Sequence, residues 1–202
     1  MIKFLTIDTE TGGLNPNYHS LFEATFSFNT LEIDKETNTY KATEISQLYI
    51  KVKEEPLVYN NRAIEINKID VLNWAGCSPQ KTSEIIDEYL NKIYEETKEA
   101  ITIMGHNIAF DLSFLKRLPS YKEKHCTDYF SHRVIDTSSI GRMVSLVLDT
   151  PIDLSKSNHL FDFFNLPYIN RHSSKVDVAN TTDAFVAMLN QLYPQSILSK
   201  YP

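Results

Sequence analysis

The stretch Lys3-Phe4-Leu5-Thr6-Ile7-Asp8-Thr9-Glu10-Thr11-Gly12-Gly13 decides how this chain is read. An apolar run with β-branched members, stopping at acids and glycines, has the pattern of a buried strand entering a turn. Side chains alternate along a strand, so Asp8 and Glu10 project from one face at its carboxyl end. Two carboxylates side by side repel, and the pairing persists when a cation neutralises them or one of them keeps its proton. Hard divalent metals with oxygen ligands are the usual partners. A turn-capping Asp8 beside a solvated Glu10 fits the same three residues, so the rest of the chain must decide.

Downstream, Leu21–Leu31 and Tyr40–Val52 alternate apolar and polar residues around the polar connection at 34–39, which predicts two strands antiparallel to the first. Ser78-Pro79 is a helix start, serine as N-cap and proline at the first helical position. Ile85, Ile86, Tyr89, Leu90, Ile93 and Tyr94 mark the face of a helix running to about Glu99. A second buried strand is expected over Ala100–Met104, then a helix through Leu112, Leu115 and Leu118 that stops before Pro119. A further strand is expected at Arg133–Ile135, and helices at Ser138–Leu148, Asn158–Asn165 and about Val176–Tyr193. Three strands followed by alternating helices and strands make an α/β fold with a mixed sheet. No repeat or linker interrupts residues 1–202, which read as a single domain.

The later acids fall where elements end. Asp111 lies in Gly105-His-Asn-Ile-Ala-Phe-Asp-Leu, inside the first two turns of a helix and among apolar neighbours, a poor setting for an ordinary surface acid. His172 precedes Asp177 by five residues, so its imidazole sits in the loop before the helix that presents the acid.

At 42% apolar, with eleven Phe and eleven Tyr, the chain can bury a core, which excludes general disorder. Apolar runs such as Ile101–Met104 fall far short of the roughly 20 residues of a membrane span. The acid at position 8 argues against a signal peptide. Cys77 and Cys126 show neither disulfide nor zinc spacing, so a cytoplasmic setting is expected. The net charge of −6 counts mildly against gripping nucleic acid through bulk electrostatics. The charge is uneven, however. Segment 112–175 holds nine Lys and Arg against six Asp and Glu, and Lys116, Arg117, Lys122, Lys124, Arg133 and Arg142 form a candidate phosphate-tracking surface or a solvated face.

Taken together, these motifs resemble those of the DEDDh branch of the DEDD superfamily of 3′→5′ exonucleases, which have the ribonuclease H-like (DnaQ-like) fold. The first motif is matched by Ile7-Asp8-Thr9-Glu10-Thr11-Gly12-Gly13-Leu14, the second by His106-Asn107-Ile-Ala-Phe110-Asp111-Leu-Ser-Phe114-Leu115, and the third by His172 and Asp177. Asp183 is a rival for the last acid, but it has neither a histidine five residues before it nor a tyrosine four before it, and reads as a helix-surface residue. Two departures stand out: Gly12-Gly13 where the family commonly has Thr-Gly, and Asn67-Lys68 where it often has His-Gly.

The resemblance implies three antiparallel strands followed by parallel strands, flanked by helices. It implies two Mg²⁺ or Mn²⁺ ions held by Asp8, Glu10, Asp111 and Asp177, with His172 as general base. It places Thr11, Gly12, Gly13, Leu14, Asn107 and Phe110 near the terminal nucleotide, core packing being the other reading of Leu14 and Phe110. The implied substrate is the 3′ end of single-stranded or frayed DNA or RNA, released as nucleoside 5′-monophosphates, with room for a polymerase or another replication or repair partner. Two other readings stay open: a ribonuclease restricted to di- to tetranucleotides, and a catalytically idle module that binds nucleic acid or protein.

Overall fold

A computed structural model describes residues 2–166 and 172–192 of the chain. Five strands, β1 (Ile2–Thr11), β2 (Leu21–Asp34), β3 (Thr39–Lys51), β4 (Ile101–Gly105) and β5 (Phe130–Asp136), form one sheet in the order β3-β2-β1-β4-β5. β1, β2 and β3 are antiparallel neighbours, whereas β4 runs parallel to β1 and β5 parallel to β4. The helices are α1 (Asn61–Asn67), α2 (Pro79–Thr97), α3 (Ile108–Leu115), α4 (Thr137–Val147), α5 (Ser157–Phe163) and α6 (Ser174–Leu192). The mixed α/β sheet read from the sequence is the observed one.

Alternation along β1 sorts its side chains to two layers. Leu5 and Ile7 join Ile86, Leu90 and Ile93 of α2 and Phe114 and Leu115 of α3 in the larger core. Phe4 turns the other way, to Met104 and to Phe185 of α6, whose ring meets it edge-on at 5.9 Å. On that second side the hydroxyls of Thr6 and Thr182 lie 2.8 Å apart, which satisfies two polar groups buried between sheet and helix. α4, α5 and α6 share a separate cluster built on Val144, Leu160, Phe161, Ala184 and Met188.

Element ends follow local chemistry. Ser78 caps α2 by accepting from the Lys81 N–H, with Pro79 in the first turn. α2 stops at Thr97 because Lys98 takes a left-handed conformation and returns its N–H to Tyr94 O. α3 ends at Leu115, three residues before the expected stop, although Leu118 is buried. β2 and β5 are both longer than their apolar patterns suggest. The middle of β5 is exposed, as an edge strand allows. α1 and a 3₁₀ turn at Cys126–Tyr129 were not expected. Tyr193, the expected end of α6, lies outside the described residues.

α4 runs so close to the segment after it that a Cβ on Gly141 would lie 2.1 Å from Leu154 O. Gly141→Ala should therefore destabilise the protein by about 1–3 kcal/mol through overpacking. Urea unfolding measures this, and an unchanged midpoint would refute the close approach.

Candidate metal centre

The carboxyl ends of β1, β4 and β5 lie on one edge of the sheet, and each delivers an acid there or just beyond. Asp8 and Glu10 come from β1, on the α6 side with Thr6. Asp177 enters from the first turn of α6. One carboxylate oxygen from each of Asp8, Glu10 and Asp177 lies within 4.8 Å of the other two. Spacing of that order suits three oxygens around a hard cation and is costly without one. The Oδ1 atom of Asp177 is buried and accepts no hydrogen bond from the described residues, so an acceptor site is left for a cation.

Asp111 stands outside that trio. Gly105 ends β4 without a side chain, where a Cβ would meet Ile108 at 2.6 Å and Ile7 O at 3.1 Å. α3 can thus start immediately, and Asp111, buried in its first turn, accepts a hydrogen bond of 2.7 Å from Thr9 Oγ1. Asp136, at the end of β5, accepts from the Asn107 N–H at 2.8 Å and caps α4 through Ser138. Burial, then the carboxylates of Asp111, Glu10, Asp177 and Glu23, hold the Asp8 carboxyl well above its ordinary value. Burial also pushes Asp111 up to about 7; the Thr9 hydrogen bonds oppose the rise and Asp136 adds to it.

His172 lies just before α6 in a left-handed conformation, φ 71°, rare for a residue with a side chain. Its N–H donates to Asp177 Oδ2 at 3.1 Å, which ties the loop to the helix. His172 lines a cavity of about 380 Å³ with Glu23, Lys51, Lys68 and Trp74.

A second cleft, of about 410 Å³, adjoins Glu10 and is lined by Thr11, Gly13, Leu14, Ile66, Asn67 and Phe110 among others. Leu14 is 82% exposed at its mouth, whereas Phe110 is half-buried with its ring 5.1 Å from Phe114. Asn107 is exposed and does not line this cleft. Gly12 is buried behind it, where a Cβ would fall 2.3 Å from Val58 O. The missing side chain thus admits the 58–60 segment, whose Asn60 N–H donates to Gly12 O and leads into α1. Asn67, the departure from the family's usual histidine, donates from Nδ2 to Thr11 O at 3.1 Å and ties α1 to the end of β1.

Thr9 and Glu23 were given no role from the sequence, and Asn67 was marked only as a departure from the family pattern. Glu23 carried a signal, an acid inside the apolar run Leu21-Phe22-Glu23-Ala24. Asp183 is exposed on α6, as expected. Of the proposed basic surface, Arg117 is engaged by Glu54 and His19 O, Arg142 by Asp153, and Lys124 lies over the Tyr129 ring.

A carboxyl whose folded-state pKa is raised penalises the folded state as pH rises. Below about 4 folded and unfolded chains are both protonated, and between about 4 and 7 the unfolded chain ionises Asp111 while the folded one retains the proton. In EDTA, the protein should lose on the order of a few kcal/mol across that window, and Asp111→Asn should flatten the dependence. Thermal melts at pH 5 and pH 7.5 test this; equal pH slopes in parent and variant would contradict it.

No protein-family model matches the sequence, and no curated protein matches it. Solved structures do match. The zinc-bound form of the E. coli exonuclease I complex with single-stranded DNA superimposes with a TM-score of 0.72 at 15% identity, over 99% of this chain and 42% of that one. E. coli exonuclease I in complex with a dT13 oligonucleotide gives 0.71 at 16% identity, over 100% of this chain and 43% of that one. The chain thus spans less than half the length of exonuclease I. It has the fold of that part of exonuclease I, a ribonuclease H-like mixed sheet, and carries Asp8, Glu10 and Asp177 together at the carboxyl end of its central strand.

Proposed function

We propose that residues 1–202 form one exonuclease domain that hydrolyses single-stranded or frayed nucleic acid from its 3′ end, with a divalent metal, releasing nucleoside 5′-monophosphates. The observation that carries this reading is the convergence of Asp8, Glu10 and Asp177 oxygens within 4.8 Å, one of them a buried acceptor that no described residue satisfies. The likeness in fold to exonuclease I, solved with single-stranded DNA, agrees with it.

Asp8, Glu10 and Asp177 would hold one ion, and Asp111 would help hold a second next to Asp8. An all-oxygen set favours Mg²⁺ or Mn²⁺ over zinc, which prefers imidazole and thiolate. Bound ions supply a lowered pKa for water and neutralisation of charge on the phosphate oxygens. His172 takes the proton of the attacking water on its imidazole, the side-chain type whose titration range lies nearest neutral pH. Its backbone tie to Asp177 keeps base and carboxylate in register. Leu14, Ile66 and Phe110 give the terminal base an apolar wall, and the backbone of Thr11 and Gly13 would lie against its sugar. Arg117 and Arg142 being engaged within the protein, the reading favours capture of a strand end over a grip along its length.

Strands labelled at the 3′ or the 5′ end, in DNA and in RNA, with and without Mg²⁺, report polarity, sugar preference and metal dependence together. Asp8→Ala should abolish digestion with the fold intact, and full activity in that variant would sink the assignment. His172→Ala should lower kcat roughly 10²- to 10⁴-fold while metal binding is kept. Leu14→Ala should raise KM roughly tenfold with little change in kcat, since it removes apolar contact with substrate and nothing else. An unchanged KM would remove Leu14 from the substrate site. Dinucleotides cleaved faster than longer strands would favour the small-substrate reading instead.

A further inference from the structure

Beside the metal trio lies an acid that the proposed chemistry does not use. Glu23 of β2 is 7% exposed and directly opposite Glu10 in the antiparallel register, with Lys51 of β3 as its next neighbour across the sheet. A fourth carboxylate so close to three others raises the electrostatic cost of the site, and packing gives no reason for it. What it does have is donors. The Tyr49 hydroxyl donates to Oε1 at 2.6 Å, and burial together with Glu23 itself raises the phenol pKa, so that the donor proton is kept. Oε2 faces Ser174, whose N–H and hydroxyl lie at 3.4 and 3.3 Å. The Ser174 hydroxyl is also 2.8 Å from that of Thr25, the next residue on this face of β2.

Ser174 is the first residue of α6, and Asp177 follows one turn later. The N–H groups of a first helical turn lack partners within the helix and carry the positive end of its dipole, so an acceptor from outside fixes where the helix starts. Glu23 provides that acceptor from the sheet. Its fixed place opposite Glu10 then sets the distance from Asp177 on α6 to Asp8 and Glu10 on β1.

We propose that Glu23 is a positioning residue, which docks the N-terminus of α6 on the sheet and so holds Asp177 and the His172 loop in register with Asp8 and Glu10. The inference rests on the metal-site reading above. Glu23 itself binds neither metal nor substrate.

Mn²⁺ binding followed by electron paramagnetic resonance, with Asp8→Ala as the blank, tests it without recourse to activity. Glu23→Ala should weaken Mn²⁺ binding about 10- to 100-fold, the range found when outer partners of metal ligands are removed. It should lower kcat and leave KM for the oligonucleotide unchanged. Glu23→Gln keeps an acceptor for Ser174 and can turn its amide to the Tyr49 oxygen, so its Mn²⁺ affinity should stay within about threefold of the parent. An unaltered affinity in Glu23→Ala overturns the proposal, as does an equal loss in both variants, which would make charge the cause. Should Glu23→Ala fail to fold, Ser174→Ala cuts the hydroxyl half of the same link and should weaken Mn²⁺ several-fold; an unchanged affinity there overturns the proposal. A parent protein with no Asp8-dependent Mn²⁺ signal overturns the metal-site reading and this one together, whereas a parent signal with Glu23→Ala unaltered overturns this one alone.

Discussion

Repulsion between carboxylates crowded at one end of the sheet is the constraint around which this molecule is arranged. Asp8, Glu10, Asp111, Asp177 and Glu23 are gathered near the end of one strand, and left to themselves they would separate. They are kept together by four rigid supports, β1 for Asp8 and Glu10, β2 for Glu23, α3 for Asp111 and α6 for Asp177. β1 is paired along its whole length with β2 and held on its other edge by β4. α3 is packed into the large core through Phe114 and Leu115, and α6 is clamped through Phe185 and the Thr6–Thr182 contact. Two cores of apolar contact thus oppose one polar edge.

The mixed topology serves the same end. Antiparallel pairing of β1 with β2 brings Glu23 opposite Glu10, and parallel pairing with β4 brings the start of α3 beside Thr9. With an antiparallel β4 the start of α3 would lie at the far end of β1, and Asp111 could not reach the site. The crossover from β3 to β4 carries α2 over one face, which leaves the other to α6. The acids are therefore a product of strand direction as much as of sequence.

How much of this was legible in the sequence follows from the range of each interaction. β1, the Ser78-Pro79 start of α2 and the pairing of Asp8 with Glu10 rest on neighbours within a few residues and could be read directly. The grouping of Asp8, Glu10 and Asp177 was reached through motif resemblance, since nothing local relates residues so far apart in the chain. Glu23 was missed because its partners Tyr49 and Ser174 lie 26 and 151 residues away. α1 was missed because seven residues carry little periodicity, although its Asn67 fixes the end of β1. The resemblance placed Gly12 near the terminal nucleotide, but the atoms packed against it belong to Val58 of the same chain.

The net charge of −6 gains a different meaning once the acids are located. Charges in this cluster would act on a cation within a few ångströms, and divalent ions held there would reverse their local sign toward an approaching phosphate. The cations that could have tracked a long strand are partly committed elsewhere, Arg117 to Glu54, Arg142 to Asp153 and Lys124 to the tyrosine rings. A strand would then be held through its last nucleotide, by the apolar wall of Leu14, Ile66 and Phe110 and by whatever ion the carboxylates carry. Such an attachment involves few phosphates, so its affinity should fall only gently with salt, unlike that of a protein that releases many counterions along a duplex. An acidic chain is thus compatible with a polyanionic substrate provided that the contact is confined to the end.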